Sequence, residues 1–137
     1  MMKYNPRIHP ERKAIAAMLN NFPKNEPVVM LNILRFREKI MKGTESGAEA
    51  YSRYSKNIAP HIKKAQAKIL YKGKAIQTLV GNHEDSPHEI LLVQYPTVQH
   101  FIDMISTAEY LELSNDRTIA LEFGGLVACD TEYINNE

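Results

Sequence analysis

The chain has few of the residues that build cross-links, cysteine metal sites or membrane spans. Only one of its 137 residues is cysteine, Cys129, so no disulfide bond can form within a chain and no cysteine cluster can hold zinc. No apolar run approaches the roughly 18 residues that a membrane helix requires, and the N-terminus is polar. We therefore expect a cytoplasmic protein without a membrane partner.

The sequence also lacks the motifs of several enzyme classes. It contains no GxSxG turn, no Walker loop and no GxGxxG turn, the fingerprints of serine hydrolases, P-loop nucleotide binding and dinucleotide binding. His83 and His88 are five residues apart around Pro87, whereas the helical zinc motif needs a spacing of four. We expect no metal and no cofactor.

Positive charge is nearly absent from the second half of the chain. Residues 1–74 contain 16 of the 17 Lys and Arg and five of the 16 Asp and Glu, a net charge of +11, and residues 75–137 carry −10. We expect the two halves to lie against each other, within a protomer or across a dimer, so that their opposite charges are neutralised. Nucleic-acid binding is not expected, because the basic residues are spread over several predicted elements and form no stripe interleaved with aromatic residues.

Hydrophobic periodicity predicts an N-terminal helix followed by a β-α-β-β-α-β order. The predicted elements are a helix from His9 to Phe22, a strand at 28–36, a helix at 48–67 with a kink or break at Pro60, a hairpin or bulged strand at 68–71 and 75–80, a strand at 89–95, a helix capped by Thr97, a helix at 108–122 ended by Gly124-Gly125, and a strand at 126–133.

This order predicts an α+β, ferredoxin-like fold with helices on one face of the sheet. We divide the chain into an N-terminal helix and linker, residues 1–27, and a ferredoxin-like domain, residues 28–137. The strands 28–34 and 90–93 are apolar on both faces, so a second sheet is expected to cover the face without helices. The simplest source is an identical chain, which gives a homodimer.

Arg117 is the only Lys or Arg beyond Lys74. It shares a helical face with apolar residues, so it requires an anionic partner. That partner is either a carboxylate such as Glu109 or Glu49, or the carboxylate of a bound ligand, which the guanidinium could hold with two parallel hydrogen bonds.

Five further residues are candidates to line a ligand pocket. Asn32 is a polar interruption in an apolar strand, and its amide needs partners in the protein or in a ligand. Tyr51, Tyr54, Tyr95 and Tyr110 are either ordinary core residues or an aromatic pocket lining with hydroxyls at the tips.

His61 is a possible acid or base, or an exposed histidine at a helix end. Arg35 points toward a partner sheet or toward solvent.

Several segments resemble the longer members of a family known as domain of unknown function 1330, over nearly the whole chain. They are Pro27 to Arg37, Tyr51 and Tyr54, Tyr95-Pro96, Phe101, Glu109-Tyr110, Arg117 and Ala120-Leu121. The resemblance implies the dimeric α/β-barrel superfamily, which includes small oxygenases, isomerases and haem enzymes that hold ligands between sheet and helices. It implies no reaction for this family.

Together these features predict binding of a small organic acid or phenolic ligand between sheet and helices, with cofactor-independent catalysis of the oxygenase or isomerase type as an extension. The alternative is a non-catalytic dimeric binding or interaction module whose tyrosines are simply core.

Overall fold

The computed structural model of the protein describes residues 4–135, which form one antiparallel sheet of four strands and four α-helices. In chain order the elements are α1 (Arg12–Asn21), β1 (Val28–Phe36), α2 (Gly47–Lys64), β2 (Lys68–Lys74), a 3-10 turn (His83–Asp85), β3 (Glu89–Tyr95), α3 (Val98–Ile105), α4 (Ala108–Ala120) and β4 (Leu121–Cys129).

The strands are arranged in the order β2-β3-β1-β4. Each neighbouring pair is antiparallel, and β1 is central, paired with β3 on one side and β4 on the other. After α1, the elements follow the β-α-β-β-α-β order of a ferredoxin-like fold. The predicted α+β fold class is confirmed.

The side chains of the residues just before three helices explain why these helices begin where they do. The Ser46 hydroxyl accepts a hydrogen bond from the backbone N–H of Glu49, whose carboxylate accepts one from the Ser46 N–H. Thr97 caps α3, as predicted, and Thr107 caps α4. Each such cap stabilises its helix by about 1 kcal/mol, so α2, which carries two of the candidate tyrosines, has a well-defined start.

Alternation along β1 divides its side chains between two faces. Val28, Met30 and Leu34 are almost fully buried beneath the helices. The residues opposite Val28 and Met30 in β3, Tyr95 and Val93, are buried with them. The core therefore lies between this helix-covered face of the sheet and helices α2, α3 and α4.

The predicted ending of α4 is wrong. The helix ends at Ala120 and runs directly into β4, which begins at Leu121 and ends at Cys129 instead of spanning 126–133. Gly124 lies within this strand, and a Cβ atom at Gly124 would come 2.8 Å from an Nη atom of Arg117. Gly124 therefore marks a close approach of a side chain to the backbone, not a helix end.

Two other local predictions are resolved by the structure. Helix α2 contains Pro60 and is nevertheless one helix from Gly47 to Lys64. Strand β2 is a single strand whose register shifts between Ile69 and Tyr71, and residues 75–80 are not part of a strand. Of the two alternatives at this place, the bulged strand is correct.

The second face of the sheet carries no helix. We name it the open sheet face and define it by the residues that alternate with the buried ones on β1, β3, β2 and β4. Its apolar members are Val29, Leu31, Ile33, Ile90, Leu92, Tyr71, Phe123 and Val127. Tyr71 is 52% exposed and Val127 is 48% exposed.

The N-terminal segment packs along the outer edge of β4. The N–H of Gly124 donates to the carbonyl of Arg7 over 2.7 Å, and Ile8 is buried in the core together with residues of α2 and α4. Residues 1–3 and 136–137, the ends of the two units expected from the sequence, lie outside the described residues.

Among residues 4–135, three ion pairs join the basic first half of the chain to its acidic second half. They are Arg7–Asp85, Arg35–Glu122 and Arg53–Asp116. Some neutralisation of the two halves therefore occurs within one protomer. None of the helices among residues 4–135 has the length and apolar character needed to cross a membrane.

Candidate functional site

A cavity of about 1110 Å³ lies between the helix-covered face of the sheet and the helices. Two rows of residues across the sheet form its floor: Val93, Met30 and Ala128 in one row, and Leu91, Asn32 and Leu126 in the next. Side chains of all four helices complete the walls. The volume is slightly above the roughly 300 to 1,000 Å³ typical of small-molecule sites.

All six residues predicted to bind a ligand line this cavity. They are Asn32, Tyr51, Tyr54, Tyr95, Tyr110 and Arg117. They come from β1, α2, β3 and α4, elements that the fold brings together over the same part of the sheet. The structure therefore shows where these six residues lie, whereas their role in binding a ligand is still a prediction.

Arg117 has no carboxylate partner among residues 4–135. Its Nη1 donates to the carbonyl of Ile8 over 2.6 Å and its Nη2 to the carbonyl of Gly124 over 3.2 Å, and neither Glu109 nor Glu49 forms the ion pair considered from the sequence. A guanidinium has five N–H donors, so three of them have no partner in the described chain. Its charge faces the cavity uncompensated by a nearby acid.

The charge of Arg117 acts on several neighbouring groups of the cavity. The pKa of His9 is lowered by burial and, to a smaller extent, by Arg117. The His9 ring is held in place by a hydrogen bond from the Asn5 N–H to Nδ1 and by a contact of 3.1 Å between Nε2 and the Thr118 hydroxyl. Because Nδ1 accepts, Nε2 carries the proton of the neutral ring. His9 was not among the site residues expected from the sequence.

The tyrosines are both core and cavity lining. Tyr51, Tyr54 and Tyr95 are each less than a tenth exposed, and burial raises the pKa of all three hydroxyls. They therefore stay protonated at neutral pH and can donate hydrogen bonds. The hydroxyls of Tyr54 and Tyr110 lie 3.5 Å apart, and the rings of Tyr51 and Tyr54 contact each other with centroids 5.4 Å apart.

Asn32 lies in the centre of the cavity floor. Its Nδ2 donates to the carbonyls of Met30 and Leu91 over 3.3 and 3.4 Å. These bonds are the structural pairing considered from the sequence. Within residues 4–135 no hydrogen bond reaches its Oδ1, so the amide presents an acceptor to the cavity.

Glu89 is a cavity residue that the sequence reasoning missed. It begins β3 and shares the helix-covered face with Leu91, Val93 and Tyr95. Burial raises the pKa of its carboxyl, and the charge of Lys72 opposes the shift. The available signal was alternation, since Glu89 is six residues before Tyr95 and therefore on the same face of the strand.

A second cavity of about 810 Å³ adjoins the first near the start of α2. It is rich in basic groups, among them Arg37, Lys72 and Lys74. Glu89 and Tyr51 line both cavities and so form part of the wall between them.

Other residues singled out from the sequence lie elsewhere. His61 does not line the large cavity. Arg35 alternates onto the opposite face of the sheet, lines the second cavity and donates to Glu122 and to the carbonyl of Ser86. Over the described range, no group of three or more His, Cys, Asp or Glu side chains is placed to bind a metal ion.

The comparison with family models gives a match to a domain of unknown function (DUF1330) over residues 40–128. The chain belongs to this family. The matched part of this DUF1330 protein runs from the loop after β1 to near the end of β4 and includes five of the six predicted binding residues, all except Asn32. No curated protein matches the chain.

Solved structures resemble this DUF1330 protein over most of its length. A protein of unknown function from Rhodopseudomonas palustris is 26% identical, with a TM-score of 0.86 over 93% of this chain and 98% of the other. The hydroxynitrile lyase from Passiflora edulis is 12% identical (TM-score 0.58; 81% and 99% covered). A dimeric protein of unknown function with a ferredoxin-like fold from Bacteroides fragilis is 10% identical (TM-score 0.54; 80% and 100% covered). The last two likenesses concern the fold alone.

Proposed function

We propose that this protein binds a small organic acid, or an acid with a phenolic ring, in the cavity between sheet and helices. The observation that carries the proposal is Arg117, whose guanidinium lines a large cavity and has only backbone carbonyls as described partners. A cation that is not paired within the protein is the natural anchor for a carboxylate. The tyrosines supply aromatic walls and hydroxyl donors for the body of the ligand.

The test compares an acid with its uncharged analogue. Phenylacetate and phenylacetamide are titrated into the protein by isothermal calorimetry, with Arg117→Ala as the variant and Arg53→Ala as the matched control. Arg53 is paired with Glu45 and Asp116 and does not line the cavity. Because a hydrogen bond to a charged group is worth roughly 1.5 to 3 kcal/mol, we expect Arg117→Ala to weaken phenylacetate binding at least about tenfold.

Arg53→Ala should leave the affinity for phenylacetate unchanged. Equal binding of the acid and the amide, or equal binding of the acid by the wild type and Arg117→Ala, would remove Arg117 as the anchor. Thermal unfolding of each variant accompanies the titrations, because Arg117 also ties the N-terminal segment to β4.

We further propose that the open sheet face is covered by the same face of a second copy, which makes the protein a homodimer. An exposed apolar sheet face favours association, and the similar protein from Bacteroides fragilis is described as dimeric. Light scattering should give about twice the 15.6 kDa of one chain. Leu31→Glu should produce the monomer and Leu19→Glu, on α1, should not; a wild-type mass of one chain would contradict the shared sheet.

In this proposal residues 1–27 act as a cover for the domain formed by residues 28–137. Ile15, Met18 and Phe22 line the cavity from the side of α1 and its end. A chain shortened to remove α1 should therefore lose affinity for phenylacetate. The cytoplasmic location and the absence of a nucleic-acid partner stay predictions from the sequence.

Cofactor-independent catalysis of the oxygenase or isomerase type is a second candidate. It is favoured by the neutral imidazole of His9, which lines the same cavity as Arg117 and can transfer a proton. Mass spectrometry and NMR of an acid incubated with the protein in air would detect an added oxygen or a rearranged product. A ligand that returns unchanged favours the non-catalytic binding module instead.

A further inference from the structure

Glu89 has a buried carboxylate oxygen that receives no hydrogen bond. Among residues 4–135, its Oε2 is the only buried side-chain oxygen or nitrogen atom of this kind. A buried acceptor without a partner is costly, and natural proteins retain few of them. The atom therefore points to a donor that is supplied from outside the described chain.

The nearest cations of the sheet do not satisfy this oxygen. Lys74 is the register partner of Glu89 on β2 and Lys72 lines the same cavity, yet neither forms an ion pair with Glu89 in the part of the chain that the structure describes. Lys72 is close enough for its charge to lower the pKa of the Glu89 carboxyl. A second cation beside Glu89 would be repelled by Lys72, so a neutral donor fits better.

Glu89 and Arg117 both line the cavity, and Glu89 is two strands away from Gly124, the strand residue that Arg117 contacts. Glu89 pairs with Leu34, and Leu34 pairs with Gly124, whose carbonyl accepts from Arg117. Two strand spacings of about 4.8 Å separate Glu89 from Gly124, roughly 10 Å in all. Tyr51 lies near both charges: its pKa is raised mainly by burial and is, to smaller extents, lowered by Arg117 and raised by Glu89.

Resting on the proposed function, we propose that Glu89 is the second polar anchor of the ligand. Its Oε2 accepts a hydrogen bond from a hydroxyl at the end of the ligand remote from the carboxylate that Arg117 holds. The ligand class is then a hydroxy-substituted aromatic acid, with its ring against Tyr51 and its two polar groups at opposite ends. The two anchors fix both the orientation and the length of the ligand.

The test uses a matched pair of probes, 4-hydroxyphenylacetate and phenylacetate, which differ only by the hydroxyl. Both are titrated into the wild type, Glu89→Met, Glu89→Gln and the control Glu112→Gln, which changes an exposed glutamate of α4. Methionine keeps the length and volume of Glu89 without an acceptor, whereas glutamine keeps an uncharged acceptor.

We expect the wild type and Glu112→Gln to bind the hydroxylated acid about tenfold more tightly than phenylacetate. The preference should fall to about one in Glu89→Met and to an intermediate value in Glu89→Gln. A wild type without this preference, or a Glu89→Met variant that keeps it, overturns the role of Glu89 while binding through Arg117 stands. If the wild type binds neither probe, the proposed function and this inference both fail.

Discussion

Replacing Gly47 by alanine should destabilise the protein at the junction that positions α2. The N–H of Gly47 donates to the carbonyl of Arg37 over 2.8 Å, and the N–H of Arg37 donates to the carbonyl of Ala120 over 2.9 Å. The end of β1, the start of α2 and the end of α4 therefore meet at one hydrogen-bonded point. A Cβ at Gly47 would lie 2.6 Å from the Arg37 nitrogen and closer still to the carbonyl oxygens of Arg37 and Ala120.

The size of the effect follows from these contacts. All three atoms belong to the backbone, so the methyl group can be accommodated only by separating the segments. Overpacking of this kind costs about 1 to 3 kcal/mol, and weakening of one hydrogen bond adds roughly 0.5 to 1.5 kcal/mol. The better helix propensity of alanine offsets up to about 1 kcal/mol. The free energy of unfolding should fall by about 2 kcal/mol, which lowers Tm by roughly 8 °C in a chain of this length.

Gly125→Ala is the matched control. A Cβ at Gly125 would be 3.7 Å from its nearest neighbour, the Cβ of Ile33, an ordinary contact. This variant should unfold within about 1 kcal/mol of the wild type. Denaturation monitored by circular dichroism at one fixed protein concentration gives both values. A Gly47→Ala variant as stable as Gly125→Ala would refute the packing argument at the start of α2.

Two further predictions concern the cavity wall. Gly124→Ala should weaken binding of phenylacetate by about fivefold to tenfold with little loss of stability, because the added Cβ meets the flexible ends of Arg117 and Leu121 at 2.8 and 2.6 Å; unchanged affinity by calorimetry would contradict this. The folded-state pKa of His9 is lowered, so the unfolded chain binds its proton more readily and the free energy of unfolding should fall as pH drops below about 6.5. His9→Gln should flatten this slope between pH 7.5 and 5.5 in urea titrations, and an unchanged slope would exclude His9 as a source.

The order of the strands and helices could be predicted because each depends on local patterns. The strand at 28–36 is predicted by an apolar run and the start of the helix after Thr97 by a capping residue. Both signals depend on residues that are close together in the sequence. The start of β4 could not be predicted in this way. Paired glycines usually end a helix, but Gly124 is explained by Arg117, which lies against the strand from α4.

The candidate site was predictable where residue type and fold agree. Arg117 stood out by charge alone, and the tyrosines of α2 by their helical spacing. The hydrogen-bond partners of Arg117 were not predictable. They are the backbone carbonyls of Ile8 and Gly124, and every residue has a backbone carbonyl, so the sequence does not indicate which ones are used. His9 was missed because its place at the cavity depends on long-range packing of the N-terminal segment against α4, through Thr118.

A crystal structure with bound phenylacetate would show whether Arg117 holds a carboxylate inside the cavity. We expect the carboxylate within hydrogen-bond distance of the Arg117 guanidinium, with the ring between Tyr51 and the floor residue Asn32. Phenylacetate bound outside the cavity, or inside it with its carboxylate turned away from Arg117, would rule out this binding mode.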